Sequence, residues 1–342
     1  MKENLLDISY PIIQAPMAGN IITPELVAAV SNAGMLGSIA SGYLTLDGLE
    51  KFILAVKALT EKPFAVNIFI EEERETQQIL AKPQLIIDLE VKTGVPVENH
   101  FTVPATISQD EYVSLLLKHK VTIVSCTFGL FNADNMLRLK QQNVIVIANA
   151  TSLVEVKAAY QHGVDAIIIQ GSEAGGHQAS FLSNECNTLS SLELLHQAIS
   201  LNLTIPLIVT GGINLNNFTK FLAAGASYVQ LGTSFMLSNL SKLTLAQQQY
   251  ITAQDFNSTK LSPMPTGKWV RGINNQLMQS LTHCDYPFPL QHYATTKLRS
   301  FAREHEFFEF AGFWLGQHTN YAQQSTESLL QQLIKQYSLY LK

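Results

Sequence analysis

The chain reads as an α/β protein built on a closed TIM (β/α)8 barrel, with a small, mostly helical cap and a C-terminal helix. Three observations predict this. Short apolar runs rich in β-formers alternate with longer helical patterns through the first two-thirds of the sequence. Several helical patterns end on glycine just before the next run. Glycine and a single histidine gather where the runs end, which is the face on which barrel enzymes build their sites. Regular alternation of strand and helix predicts a parallel sheet, and eight such units predict closure.

In chain order the predicted strands are Ile12–Ala15, Leu36–Ile39, Phe64–Ile68, Ile123–Cys126, Val144–Ala148, Ala166–Ile169, Leu207–Val209 and Tyr228–Leu231. The predicted helices are Pro24–Asn32, Leu46–Leu59, Gln109–His119, Asn132–Gln142, Leu153–His162, Leu192–Leu201 and Asn216–Ala224. Gly34, Gly163 and Gly225 then mark left-handed helix ends, where the missing Cβ removes the steric penalty. The rhythm breaks at residues 71–104, first charged, then apolar, then holding Pro96 and Pro104. That stretch predicts an excursion with one helix. The expected organisation is a barrel over residues 1–238 and a helical cap over 239–298, including a Pro/Gly-bearing loop at Ser262–Gly272. Residues 299–342 are expected to return to the barrel as C-terminal helices. In that tail, Ser325–Leu341 is amphipathic, with Leu329, Leu330, Leu333, Ile334 and Tyr337 on one stripe.

Composition narrows the partners. A net charge of −5 gives no reason to expect nucleic acid or an anionic membrane surface. Hydrophobic residues make up 46% and charged residues only 14%, so an anionic ligand must be held by local dipoles and a few cations. Cys126, Cys186 and Cys284 are odd in number, far apart and without metal-ligand spacing. No metal and no disulfide framework is expected, which suits a reducing compartment. The start, M-K-E-N-L-L-D, lacks an apolar signal core and no apolar stretch approaches spanning length. A soluble cytoplasmic protein is the expectation, and the low charge content hints at a homodimer.

The residues Ile167–Gln178, I-I-I-Q-G-S-E-A-G-G-H-Q, carry the most chemistry. A buried strand opens there into a glycine-rich loop that delivers His177, and paired glycines let a flat or anionic ligand reach the backbone. A plain βα turn with an incidental histidine is the bland alternative. Five further segments fall on the same face: Ala15–Gly19, Asn67, Thr127–Gly129, and the late T-G-G-I and Q-L-G-T-S-F runs. The loops after strands seven and eight form the usual phosphate cradle of such barrels. Gly212, Gly232 and Thr233 are the candidates for that contact, unless those glycines only tighten turns.

Together these motifs resemble the nitronate monooxygenase family, formerly the 2-nitropropane dioxygenases. The likeness spans nearly the whole chain: P-I-I-Q-A-P-M-A-G at 11–19, P-F-A-V-N-I-F at 63–69, F-G at 128–129, Q-G-S-E-A-G-G-H at 170–177, T-G-G-I at 210–213 and Q-L-G-T-S-F at 230–235. T-G-K-W-V-R at 266–271 and W-L-G-Q at 314–317 follow near the end. The resemblance implies FMN in a TIM barrel, with His177 as the catalytic residue beside the flavin. It implies cofactor contacts at Ala15, Met17, Asn67, Gln170, Gly175, Gly176, Gly211, Gly212, Gln230, Leu231, Gly232 and Thr233. Tyr286, Gln291 and Gln317 lie in segments that the family folds back over the mouth, as candidate substrate contacts.

The implied reaction takes an alkyl nitronate and O2 to a carbonyl compound plus nitrite, without reduced nicotinamide. His177 would act either as an imidazolium that holds the nitronate or as a neutral base that takes the α-proton of a nitroalkane. The family often continues G-G-H-R-G where this chain has Gln178 and Ala179, which bears on loop geometry and charge preference. Lys268 and Arg271 compensate if their segment folds towards the mouth, and otherwise form a solvated loop. The nearest alternative is an NAD(P)H-dependent FMN reductase of an enoyl thioester or quinone. Such enoyl reductases commonly carry Glu where Gln170 stands. A flavin-binding protein without turnover is the remaining alternative.

Overall fold

The computed structural model describes residues 4–255, 258–317 and 323–342. Residues 256–257 of the expected cap and 318–322 of the expected C-terminal segment lie outside the described residues. Eight parallel strands form the barrel: β1 (Ile12–Gln14), β2 (Gly37–Ala40), β3 (Phe64–Phe69), β6 (Ile123–Thr127), β7 (Ile145–Ala150), β8 (Ala166–Gln170), β10 (Leu207–Thr210) and β11 (Tyr228–Leu231). Around the ring the order is β1-β11-β10-β8-β7-β6-β3-β2. The N–H of Leu36 donates to Ile12 O at 3.0 Å and that of Gln14 to Leu36 O at 2.9 Å, which closes the circle between β2 and β1.

The outer helices are α1 (Pro24–Asn32), α2 (Leu46–Leu59), α4 (Gln109–Lys118), α5 (Ala133–Gln141), α6 (Leu153–Gln161), α7 (Ser191–Ile199), α8 (Phe218–Ala223) and the short α9 (Thr233–Met236). The ends follow local chemistry. Thr23, Thr45, Ser108, Asn132, Ser152 and Ser190 each accept a backbone N–H at a helix start. Gly34, Gly163 and Gly225 follow three helix ends at φ of 81°, 84° and 103°. The C-terminal α13 (Thr326–Tyr340) buries Leu329, Leu330 and Leu333 in the main core, with Ile334 and Tyr337 packed against it, as its stripe predicts.

Side-chain alternation divides the barrel interior. At the N-terminal end Ile13, Leu36, Ala65, Ile123, Ile147, Ile168, Ile208 and Tyr228 point inward and form one apolar cluster with Leu6 and Ile8. Two residues further along each strand the inward side chain turns mostly polar: Ser38, Asn67, Ser125, Asn149, Gln170, Thr210 and Gln230. The lower layer fills the barrel as a core, at roughly 1.5–3 kcal/mol per large side chain buried. The upper layer is a polar floor at the carboxyl end.

Two regions depart from expectation. The excursion contains the expected helix, α3 (Gln84–Thr93), but also an antiparallel hairpin of β4 (Gln78–Ala81) and β5 (His100–Val103). β4 is largely exposed, so it carries little hydrophobic alternation to reveal it. The cap has α10 (Leu245–Thr252), α11 (Gln276–Ser280) and α12 (Leu290–Glu304), the last running past the expected boundary at 298. It also holds two unforeseen strands, β12 (Thr259–Ser262) and β13 (Val270–Ile273), which join β9 (Gly176–His177) in a three-stranded sheet. Excursion and cap share one core: Ile86, Leu89, Phe101 and Val103 pack with Leu277, Ala294 and Leu298. An ion pair of 2.5 Å between Lys297 and Glu98 adds to that junction.

Candidate active site

The polar floor and the cap enclose a cavity of about 360 Å³ at the carboxyl end of the barrel. Its floor is wired internally. Asn67 Nδ2 donates to Ser125 Oγ (2.9 Å) and Thr127 Oγ1 (3.0 Å), and Asn149 Nδ2 donates to Thr127 Oγ1 (2.9 Å). Thr210 Oγ1 donates to Gln230 O at 3.0 Å. Gln170, at the end of β8, reaches the histidine loop with both ends of its amide. Nε2 donates to His177 O (3.0 Å) and Oε1 accepts from Ala179 N (2.7 Å). A carboxylate there could accept but not donate, which gives a physical reason for Gln at this position.

The His177 loop is held from outside as well. Gly176 and His177 pair antiparallel with Arg271 and Val270. Arg271 Nε donates to Ser172 O at 2.7 Å, and Lys268 Nζ donates to Ser180 O at 2.8 Å while lying 5.1 Å from the Phe128 ring centre. The buried Glu155 accepts from Phe181 N and Leu182 N. Gln178 bonds both ways to the Asn187 backbone, at 2.6 and 3.0 Å. Where the family often carries a cation, this chain therefore has a loop-closing amide. Neither Lys268 nor Arg271 lines the cavity; both fasten the loop that carries His177.

His177 does line the cavity, among aromatic rings. Ring centres of Phe288, Phe128 and Trp314 lie 5.3, 6.0 and 6.4 Å away. These walls leave an imidazolium poorly solvated, and the charges of Arg299 and Lys268 oppose it further, so its pKa is lowered to about 3. Nε2 lies 2.9 Å from Thr266 Oγ1, and that hydroxyl donates its one proton to Lys268 O at 3.0 Å. The hydroxyl therefore accepts from His177, which puts the ring proton on Nε2 and the basic lone pair on Nδ1. A neutral base of fixed tautomer results.

The glycine segments line the same cavity. Gly211 and Gly212 take φ of 116° and 66°, a backbone path that glycine permits. A Cβ on Gly175 would stand 2.4 Å from Gly316 N, so this loop packs directly on the chain returning from the cap. Thr233 Oγ1 accepts from Gly316 N at 3.1 Å at the start of α9. Among the described residues the amides of Gly212 and Gly232 donate to no protein acceptor. The donor set of Gly212, Gly232 and Thr233 suits a phosphate, and the floor amides suit a flat heterocycle, so the residues present fit a flavin mononucleotide. Of the predicted cofactor residues, all but Leu231 line the cavity; Leu231 is fully buried in the barrel core.

The predicted substrate residues sit elsewhere. Tyr286 packs on Phe101 and donates to Ala81 O at 2.9 Å. Gln291 is fully buried, its Nε2 bonded to Met264 O at 3.2 Å. Gln317 bonds through its backbone to Glu173 O, and none of the three lines the cavity. The roof is made instead by Tyr43 after β2 and by His292, Arg299 and Arg303 of α12, with Phe313 and Trp314. Tyr43 and Phe128 both hold left-handed backbone, φ 69° and 71°, which bulky residues adopt at a cost. The Tyr43 ring stacks on His292 at 4.3 Å. One sequence signal for the roof existed: Arg299 and Arg303 stand four apart, and Arg299 has no acidic residue three or four positions away to pair with.

The chain is similar to known proteins along nearly its whole length. The family model for nitronate monooxygenase matches residues 1–336. A protein of Bacillus subtilis (strain 168) named "Probable nitronate monooxygenase" is 33% identical over 319 residues, covering 91% of this chain and 90% of that one. The crystal structure of a nitroalkane oxidase from Streptomyces ansochromogenes superposes with a TM-score of 0.85 at 27% identity, covering 98% of this chain and 97% of that chain. The structure of FabK from Thermotoga maritima gives a TM-score of 0.75 at 25% identity, covering 99% and 96%.

Proposed function

The chain belongs to the nitronate monooxygenase family, a family of flavin-dependent oxidoreductases, and on that premise we propose that it uses FMN and O2 to oxidise alkyl nitronates to carbonyl compounds and nitrite. The observation that carries this reading is one cavity lined by two unlike groups: a cradle of backbone donors at Gly212, Gly232 and Thr233, and a buried, neutral imidazole at His177. FMN, when bound, supplies the redox chemistry. Gly212, Gly232 and Thr233 would hold its phosphate, and Asn67, Gln170 and Gln230 would meet the edge of its ring system.

The residues of the chain orient the substrate and handle its proton. Neutral His177 offers Nδ1 as the acceptor for the α-proton of a nitroalkane, a weak base by itself that the negative charge developing on the substrate would strengthen, while Thr266 keeps the other nitrogen protonated. A substrate that arrives as the nitronate has already lost that proton and needs only to be held over the floor. The low pKa argues against His177 as the cation that does the holding. Phe69, Phe128 and Trp314 keep water from the reacting carbon.

The reductase reading has a structural neighbour in FabK but less support from the site. Gln170 donates a proton to His177 O, a bond that the glutamate commonly found in such reductases cannot make while ionised. An anaerobic comparison decides between them. The purified yellow protein is mixed with ethyl nitronate and, separately, with NADPH, and the visible flavin spectrum is followed. Bleaching or a spectral shift with nitronate, and nitrite release on admitting air, is the expected result. Reduction by NADPH with no response to nitronate would sink the proposal.

A further inference from the structure

Resting on that reading, we infer that Arg299 is the residue that receives the negatively charged oxygens of the substrate and sets the preference for a nitronate over its neutral nitroalkane. An anion in a site walled by aromatic rings requires a positive partner, since desolvated charge without one is costly. His177 is neutral. Lys268 is bonded to Ser180 O, and Arg271 is turned to Ser172 O and Thr259 Oγ1. The cations left on the cavity wall are Arg299 and Arg303.

Arg299 is 7% exposed and pairs with no carboxylate among the described residues. Burial lowers its pKa only to about 10, so it stays charged at neutral pH. Its guanidinium is fixed along one side: Nε donates to Thr295 Oγ1 (3.0 Å), and Nη2 to His292 O (2.9 Å) and Thr296 Oγ1 (3.1 Å). Nη1 has no protein acceptor among the described residues. With Nε and Nη2 held by the helix, and His292 Nδ1 also 3.3 Å from Nη2, the open Nη1 amino group offers a fixed cationic donor to a negatively charged oxygen. Arg303 follows one turn later, anchored to Gly312 O, and adds positive potential to the same wall. Its place at the end of α12 also suits the helix dipole, which does not reach Arg299 as strongly. Arg299 also acts within electrostatic reach of His177, whose protonation it opposes.

The test uses the flavin-loaded enzyme and the variants Arg299→Met and Arg299→Lys, with ethyl nitronate, nitroethane, and nitrate as an inert planar anion. In Arg299→Met the KM for ethyl nitronate should rise roughly 10- to 100-fold, and that for nitroethane by less than about 3-fold. Arg299→Lys keeps the charge without the anchored, planar guanidinium that fixes the donor's position, so its KM for the nitronate should rise by roughly 3- to 10-fold, again with little change for nitroethane. Calorimetric titration should show nitrate binding to the parent enzyme and not to Arg299→Met. This binding needs no turnover, so it reports on Arg299 even if nitronate oxidation itself fails. Equal losses for both substrates in whichever variant retains flavin, or undiminished nitrate binding in Arg299→Met, would overturn the assignment.

Discussion

The floor and the roof of the cavity are built on opposite terms. Every floor side chain that faces the cavity from β3, β7, β8, β10 and β11 is neutral, and several are bonded to one another or to backbone. The roof brings two guanidiniums and the neutral imidazole of His292 on a helix from outside the barrel, with no carboxylate among the described lining residues to balance them. A self-satisfied floor can grip a cofactor by shape and backbone amides and need not change when the substrate does. A roof with unbalanced charge selects for what is bound above it. Cofactor retention and substrate choice are thereby assigned to different parts of the chain, and substitutions on either side test that division.

The largest expected effect comes from His177, where floor and roof meet. His177→Asn keeps a polar group of similar width but removes the basic nitrogen. Turnover of nitroethane should fall roughly 10²-fold or more, with flavin content unchanged. Turnover of preformed ethyl nitronate should fall far less, since its proton is already gone. Steady-state rates on both substrates, alongside the flavin-to-protein absorbance ratio, measure this. Loss of flavin from the variant would show instead that the loop holds the cofactor and that the division is wrong.

The floor was legible in the sequence and the roof was not, for physical reasons. The eight barrel strands are short, mostly apolar runs bounded by turn residues, and their order along the chain is their order around the ring. His177, Gln170 and the glycine pairs stand at strand ends, where a parallel barrel must place its site. The roof is assembled from Tyr43 after β2 and from α12, more than 240 residues later. Such contacts leave no local pattern. β12 and β13 are four residues each, too short for alternation to show, yet they decide where Lys268, Arg271 and His177 lie. Tyr286 and Gln291 lie in the right segment, but Tyr286 packs on the excursion and Gln291 faces the interior of the cap. Only the acid-free neighbourhood of Arg299 was visible beforehand.

A smaller effect is expected at Thr266, which touches His177 and lies outside the cavity lining. Thr266→Val preserves shape and removes the acceptor of the Nε2 proton, leaving Lys268 O short of a donor as well. With the tautomer no longer fixed, kcat on nitroethane should drop about 10-fold, the scale of a lost hydrogen bond of about 1–1.5 kcal/mol. The reading as a positioning residue has a distinct signature: KM for ethyl nitronate should stay unchanged, because Arg299 and the floor are untouched. Thr266→Ser, which keeps the hydroxyl, should restore most of the rate. A fall in kcat that Ser does not rescue would mean that the methyl packing matters and the hydroxyl does not.

The smallest effect per substitution concerns stability, and it separates the two surfaces by pH. The floor side chains do not titrate in the working range, whereas burial holds His177 and His292 well below their ordinary value. In the unfolded chain both titrate near pH 6.5. Between that value and about 3 the unfolded chain binds a proton at position 177 that the native state refuses, so falling pH favours unfolding. Stability present above pH 6.5 should therefore be lost on acidification, with a slope approaching about 1.4 kcal/mol per pH unit for each such histidine. Urea unfolding at pH 7.5, 6.5 and 5.5 measures the slope in the parent enzyme and in His177→Asn. Carboxylates elsewhere contribute alike to both proteins and cancel in the difference. The variant should show the shallower dependence, and above pH 7 the two curves should run parallel. Identical slopes below pH 6.5 would mean that His177 accepts a proton in the folded enzyme, which would return to it the positive charge assigned here to Arg299.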